Sequence, residues 1–201
     1  MKHASTRTLF DYWTRQRGSR AAPDRSDIDP ADIRHVLGDT FMLAADFVDD
    51  IRFRLAGTRV CALFTREIKG EAFNAQWSES SSAHIEDLPT AVINEKIGAV
   101  AGIIGRTDDG DEVELELLLL PLSHAGHARV RALGVLAPLT PPYWLGERPV
   151  VELELKTLRH IDGRQTDAGT PRFGQPRDGQ RLRHGFQVYT GGRGQPGGRA
   201  S

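Results

Sequence analysis

The segment Glu112–Leu120 constrains the fold more than any other part of the sequence, because it alternates cleanly between two faces. Its odd-numbered positions are all apolar, whereas its even-numbered positions begin with glutamates and end with Leu118 and Leu120. Side chains alternate across a β-strand, so the pattern predicts a strand with one apolar face and one face that changes from charged to apolar. We interpret the glutamates as a row that faces solvent: Glu112, Glu114 and Glu116.

A second predicted strand, Ala128–Ala137, changes from charged to apolar in the same way. The back of the predicted sheet is therefore half apolar, and an apolar patch of that size is rarely left uncovered. A first helix, capped by Ser5 or Thr6 and ended by Gly18, is the predicted cover. The sequence leaves open whether it covers its own sheet or that of a second copy. The predicted partner or dimer surface comprises Phe10, Trp13, Leu118, Leu120, Leu133 and Val135.

Three further strands bring the predicted sheet to five: Phe41–Phe47, Ile51–Ala56 and Ala101–Thr107. Turn residues separate neighbouring strands, which is typical of antiparallel hairpins. Short helices are predicted at three places: after Asp29 with Pro30 at the first position, over Val60–Phe64, and after Asp87 with Pro89 in the first turn. We interpret Ser78–Ser82 as a polar loop or cap. The fold class is therefore α+β with an antiparallel sheet.

The stretch Phe53–Trp77 connects one of these strands to the helices. It runs from a strand through Gly57 into a short helix, turns again at Gly70, and continues to Phe73 and Trp77. We expect Gly57 to end the strand by adopting a positive φ, which glycine does without a Cβ penalty.

Four segments in this order resemble the motifs of a bacterial PAS-domain family. They are Leu9-Phe10-Asp11-Tyr12-Trp13 with Arg17-Gly18, Asp27-Ile28-Asp29-Pro30, the stretch Phe53–Trp77, and Gly105-Arg106-Thr107 with Val113–Pro121. The resemblance covers roughly residues 5–145. It implies a PAS-like five-stranded antiparallel sheet with short helices on one face and an N-terminal helix packed on the sheet.

The resemblance also implies a sensory or regulatory module in bacterial signal transduction. Such a module binds a small ligand, a protein partner or a second copy of itself. The candidate ligand-pocket residues are Phe53, Leu55, Val60, Leu63, Phe64, Phe73, Ile103, Leu115 and Leu117. The alternative is that these side chains fill an ordinary core, which would make the protein a ligand-free scaffold for protein interaction.

No cofactor is expected. Flavin photoreceptors of the PAS superfamily carry a reactive cysteine shortly after the glycine that corresponds to Gly70, but this sequence has Glu71-Ala72 there. We interpret Cys61, which lies earlier, as a small buried side chain. Haem would need an axial histidine, and His84, in a predicted serine-rich loop, is a poor candidate.

Neither a metal site nor an enzyme is expected. His124 and His127 share a predicted turn, but no third ligand is near them in the sequence. The sequence contains no nucleophile elbow, no phosphate-binding GxxxxGK[ST] loop and no HExxH motif.

Charge and composition favour a cytoplasmic protein without a nucleic-acid or membrane partner. The 26 Lys and Arg residues nearly balance the 27 Asp and Glu residues. A single cysteine excludes an intrachain disulfide, which fits a reducing compartment. The N-terminus lacks the apolar core of a signal peptide, and the longest apolar stretch, Leu117–Leu122, is too short to span a bilayer.

Three regions are predicted along the chain. Residues 1–145 form the PAS-like domain with its N-terminal helix, and residues 146–160 form an extension that alternates as a strand would. The extension is expected to be a strand or a coil at the sheet edge. Residues 161–201 contain seven Arg and three Asp, a net charge of +4, and few apolar side chains, so we predict a disordered, solvated tail. Weak contact with acidic partners is the alternative for this tail.

Overall fold

An antiparallel sheet organises the residues that the computed structural model describes, which are 1–45, 51–123 and 131–161. Its strands are β1 (Thr40–Ala45), β2 (Ile51–Ala56), β3 (Gly98–Thr107), β4 (Glu112–Leu122), β5 (Arg131–Pro138) and β6 (Val150–Ile161). These six strands lie in the order β2-β1-β5-β4-β3-β6, and each neighbouring pair is antiparallel. The predicted α+β class with an antiparallel sheet is confirmed.

The sixth strand is the extension that the sequence predicted as a strand or a coil at the sheet edge. β6 pairs with β3 along its whole length, from Gly98 opposite Ile161 to Thr107 opposite Val150. Four predictions fall at least partly outside the described residues: the end of the first strand, the turn that holds His124 and His127, the start of the strand predicted over 128–137, and the tail from residue 162 onward.

Helices lie on both faces of the sheet. They are α1 (Ala4–Arg17), α2 (Thr58–Phe64), α3 (Glu79–Ile85) and α4 (Leu88–Glu95), together with short 3₁₀ turns at Arg25–Asp27, Leu37–Asp39 and Asn74–Gln76. The helices α2, α3 and α4 pack on one face, which we call the inner face, and α1 packs on the other, the outer face.

β4 shows how the sequence pattern produces these two layers. Leu115, Leu117 and Leu119 point to the inner face and Leu118 and Leu120 to the outer face, and each is at most 2% exposed. Burying a leucine fully stabilises the fold by about 1.5–3 kcal/mol relative to leaving it exposed. The strand therefore stabilises both cores at once, and α1 of the same chain covers the outer face.

α1 begins one residue before the predicted cap. Its N-cap is His3, whose Nδ1 accepts a hydrogen bond from the backbone N–H of Ser5 at 3.2 Å. The predictions of Ser5 and Thr6 as caps are wrong, because both side chains are buried and the Ser5 hydroxyl donates elsewhere, to Asp39. Gly18 ends the helix at a φ of 57°, as predicted.

Two helix predictions are also corrected. The segment after Asp29 forms consecutive turns instead of a helix, and the Asp29 carboxylate accepts from the backbone N–H of Ala31 at 2.8 Å. The segment predicted as a polar loop or cap at residues 78–82 is a cap only at Ser78, which occupies the N-cap position, and the residues after it form the start of α3. α3 is favoured by its tertiary contacts: Ile85 is fully buried and the Ser81 hydroxyl accepts from Leu155 N–H at 2.9 Å.

Gly57 ends β2 for a different reason from the predicted one. Its φ is −71°, which any residue adopts, so the prediction of a positive φ is wrong. A Cβ at this position would lie 2.1 Å from the carbonyl oxygen of Leu37 and 2.4 Å from that of Gly38. Glycine is required because two backbone segments meet there. Gly70, in contrast, does have a positive φ of 88°.

Candidate functional site

The structure brings eight of the nine candidate pocket residues together on the inner face. They belong to one cluster of buried side chains, which we call the inner cluster, and each is at most 3% exposed: Phe53, Val60, Leu63, Phe64, Phe73, Ile103, Leu115 and Leu117. β2, α2, β3 and β4 position all of them except Phe73, which immediately precedes the 3₁₀ turn Asn74–Gln76.

Leu55 does not join the inner cluster, although its alternation with Phe53 predicted that it would. Met42 lies opposite Leu55, whereas Leu43 lies opposite Phe53, so Arg54 is an extra residue in the β1–β2 pairing. This β-bulge shifts the register and turns Leu55 to the outer face with Met42. At the sheet edge, the Leu55 side chain is 49% exposed.

Aromatic rings in contact occupy one end of the inner cluster. The ring centroids of Phe41 and Phe53 are 5.4 Å apart, those of Phe53 and Phe73 are 5.7 Å apart, and those of Phe73 and Trp77 are also 5.7 Å apart. These distances are typical of favourable tilted and edge-to-face pairs. Among the described residues, however, the buried indole Nε1 of Trp77 and the buried Oδ1 of Asn74 have no hydrogen-bond partner.

The six residues predicted as a partner or dimer surface are buried within this one chain. Phe10, Trp13, Leu118, Leu120, Leu133 and Val135 are each at most 7% exposed and form part of a second cluster, the outer cluster. They do not form an exposed surface in this structure, because α1 lies on the back of its own sheet. A partner would reach the sheet residues among them only after α1 has moved.

Trp13 anchors α1 to the sheet. Its indole Nε1 donates to the carbonyl oxygen of Pro121 at 2.8 Å, and its ring stacks near that of Phe10 with a centroid distance of 6.3 Å. The guanidinium of Arg17 lies 5.2 Å from the centre of the Trp13 ring. The tryptophan therefore combines apolar burial, one buried hydrogen bond and a cation–π contact.

Glu116 does not face solvent as the sequence predicted. Glu112 and Glu114 are exposed, but Glu116 is only 5% exposed because the chain before α1 lies over it. Its carboxylate accepts from the backbone N–H of Lys2 at 2.7 Å and from that of His3 at 2.9 Å. Burial alone would raise the pKa of Glu116, but the net shift is downward, and the hydrogen bonds from these N–H groups are the largest contributions that lower it.

A second buried carboxylate, Asp39, connects three elements. The Ser5 hydroxyl of α1 donates to it at 2.5 Å, and Arg59 of α2 binds both carboxylate oxygens, Nε at 2.6 Å and Nη2 at 2.9 Å. Burial alone would raise the pKa of Asp39, but the bonds from Arg59 and Ser5 outweigh it and the net shift is downward. A bidentate pair with a buried carboxylate fixes the position of both partners.

Sequence reasoning missed Asp39, Arg59 and the role of Ser5. Asp39 lies 34 residues from Ser5 and 20 from Arg59, so no helical or strand spacing brings them together. For Glu116 a signal was present, since it is the last glutamate before the outer face becomes apolar. A carboxylate at the border of a covered patch is a candidate for burial with partners.

The family of the chain follows from a sequence comparison. A family model described as a PAS domain matches residues 1–137. The chain belongs to the PAS domain family. PAS domains generally serve as sensory and regulatory modules in signalling, and the match spans α1 and the first five strands of this one.

The chain is also similar to a solved PAS-domain structure. The PAS domain of a protein from Colwellia psychrerythraea is similar at 16% sequence identity, with a TM-score of 0.40, and the match covers 55% of this chain and 97% of that one. No protein with a curated description matches this sequence. Among the described residues of this PAS domain, no helix has the length and apolar character needed to cross a membrane.

Cys61 and His84, which the sequence analysis considered for cofactor chemistry, both lie among the described residues. Cys61 is half-buried in α2, and burial raises the pKa of its thiol. His84 is exposed and lies in α3, not in the predicted loop. Within residues 1–45, 51–123 and 131–161, no three His, Cys, Asp or Glu side chains group in a way that could hold a metal ion.

Proposed function

We propose that this PAS domain is a non-catalytic sensory module that binds a small ligand in the inner cluster and passes the signal through α1 to a protein partner. The observation that carries the proposal is the two-sided sheet. Neighbouring residues of β4, such as Leu117 and Leu118, face the inner and the outer cluster respectively. A change in packing on one face therefore reaches α1 through the thickness of one sheet.

The turn that contains Asn74 and Trp77 supports the ligand-binding part of this proposal. A buried donor and a buried acceptor without partners each cost about 1–3 kcal/mol, so native structures rarely keep them. Trp77 belongs to the inner cluster, and Asn74 lies three residues before it in the chain, in the 3₁₀ turn that follows Phe73. A small, mostly apolar ligand with one polar end would satisfy them while its body lies among the aromatic rings.

The second candidate function is a ligand-free scaffold for protein interaction. The contacts among the rings of Phe41, Phe53 and Phe73 favour it, because a ligand would have to share this space with side chains that already contact one another. In that case the inner cluster serves as a core, and only the surface contributes to binding.

Native mass spectrometry of the freshly purified chain separates the two functions. We expect a co-purifying small molecule, and we expect Trp77→Phe, which removes the indole N–H, to weaken its retention roughly two- to tenfold, the value of one hydrogen bond. Trp144→Phe is the matched control, because Trp144 is also a buried tryptophan of the inner cluster. An empty protein under all purification conditions would favour the scaffold.

Hydrogen exchange tests the output step. Amide exchange in α1 is compared between the protein with its retained molecule and the protein after that molecule has been removed. We expect α1 to differ in protection between the two forms, since a ligand shifts an equilibrium only through a difference in affinity for its states. Equal protection of α1 in both forms would contradict a signal that leaves through this helix.

A further inference from the structure

We propose that Asp39 couples the position of α2 to the docking of the start of α1, which is stabilised on the sheet while Arg59 holds this carboxylate in place. The inference rests on the proposed function in one respect, since it names the route by which a change at the inner cluster would reach α1. The coupling itself concerns described contacts and needs no ligand.

The α1 end of this route is a single short hydrogen bond. The Ser5 hydroxyl donates to Asp39 Oδ2 at 2.5 Å, and both groups are buried, at 6% and 4% exposure. Ser5 lies in the first turn of α1, next to the backbone N–H groups of Lys2 and His3 that donate to Glu116. Two buried carboxylates therefore bind the start of α1, and of these two Asp39 is the one that α2 also binds.

At the α2 end of the route, Arg59 forms a bidentate ion pair with Asp39 and packs closely against the backbone of Gly38. Arg59 is the second residue of α2 and binds both oxygens of Asp39. A Cβ on Gly38, the residue before Asp39, would lie 2.8 Å from Arg59 Cζ, so the guanidinium lies directly on this backbone. Together with the contact of Gly57 on the Leu37 carbonyl, this means that α2 and the 3₁₀ turn that carries Asp39 pack against each other at two points, so a shift of α2 relative to the turn changes the distance between Arg59 and Asp39.

α2 is also part of the inner cluster. Val60, Leu63 and Phe64 of this helix are at most 1% exposed, and Val60 directly follows Arg59. A displacement of α2 by a change in the inner cluster would pull Arg59 away from Asp39. A buried carboxylate without its cation is strongly unfavourable. Asp39 would then turn toward solvent, and the bond to Ser5 would be lost with it.

The test is amide hydrogen exchange of the full chain, followed by mass spectrometry of peptides from α1. We expect Arg59→Gln to increase exchange in the first turns of α1 roughly tenfold or more, the effect of losing one charge-assisted hydrogen bond. Amides of β4 serve as the internal measure of global unfolding. If Arg59→Gln fails to fold, Arg59→Lys keeps the charge but loses the bidentate geometry, and we expect a smaller increase confined to α1.

Arg66→Gln is the matched control. Arg66 forms the same kind of bidentate pair, with Glu71 at 3.0 and 2.9 Å, and its side chain is 46% exposed against 54% for Arg59. It lies two residues after the end of α2 and contacts Glu71 and Gln76. We expect this variant to leave α1 exchange unchanged. Equal α1 protection in the Arg59 variant that folds and in Arg66→Gln would overturn the proposal.

A double-mutant cycle identifies Asp39 as the connection. In a Ser5→Ala background the link to Asp39 is already broken, so the added Arg59 substitution should increase α1 exchange by less than it does alone. Fully additive effects would show that Arg59 acts on α1 by another route and would overturn the role of Asp39. No ligand takes part in these measurements. A negative result would therefore contradict the coupling through Asp39 without contradicting the proposed ligand binding. Conversely, an inner cluster without a ligand would not contradict the coupling.

Discussion

Glu116→Gln tests most directly whether buried carboxylates hold α1 on the sheet. The wild-type carboxylate is 5% exposed and accepts from two backbone N–H groups, those of Lys2 and His3. A glutamine has the same shape, but only one of its two terminal atoms accepts a hydrogen bond. Both amides donate to Oε1, and that of Lys2 donates also to Oε2 at 2.7 Å, so the variant loses the negative charge and the shorter Lys2 contact. We expect it to lower the free energy of unfolding by about 1.5–3 kcal/mol.

Urea unfolding followed by far-UV circular dichroism measures this change. With a urea dependence of about 1–3 kcal/mol per M, the midpoint should fall by roughly 1 M. Glu114→Gln is the control, because Glu114 lies two residues away on the same face of the same strand but is exposed. We expect the control to change stability by no more than about 0.5 kcal/mol. Equal midpoints for the two variants would refute a stabilising role for the buried carboxylate.

Three further predictions concern packing and pH. Gly57→Ala places a Cβ 2.1 Å from the Leu37 carbonyl oxygen, and we expect it to destabilise the protein by about 1–3 kcal/mol or more in the same urea assay. Leu118→Ala, at a fully buried site, should cost about 2–5 kcal/mol, whereas Leu55→Ala, at a half-exposed site, should cost far less. The lowered pKa of Asp39 means that the unfolded chain takes up this proton at a higher pH than the folded chain does. The stabilisation is therefore present above the ordinary carboxyl pKa of about 4 and is lost as pH falls through the lowered pKa. Urea unfolding between pH 7 and pH 3 should show this loss, and a variant Asp39→Asn should show a shallower decline.

The layers of the fold could be predicted because alternation is a local property. The leucines of β4 identified the inner and the outer face, and the change from Glu114 to Leu118 predicted that the outer face would be covered. The sequence could not say which chain supplies the cover. Whether α1 covers its own sheet or that of another chain depends on the course of the backbone between Gly18 and β1. The periodicity of the sequence does not determine that course.

The errors have physical causes that pattern reasoning does not contain. Leu55 alternates correctly with Phe53, but one extra residue in the pairing with β1 reverses its face, and a bulge leaves no composition signal here. α3 was missed because serines have a modest helix propensity, which tertiary contacts of Ser81 and Ile85 override. The Ser5–Asp39–Arg59 contact joins residues far apart in sequence and becomes visible only in three dimensions.

The four consecutive leucines of β4, residues 117–120, create an alignment problem that the start of α1 solves. A strand that slides by two residues keeps every side chain on its own face. Hydrophobicity opposes the slide that would move Glu116 into the buried position of Leu118, but it opposes the opposite slide much less, because leucine would still occupy that position. In one direction such a slide would put Leu118 where Glu116 lies, and the amides of Lys2 and His3 would then meet a methyl group instead of a carboxylate. Two backbone amides near the N-terminus thus select one alignment of a strand more than a hundred residues away.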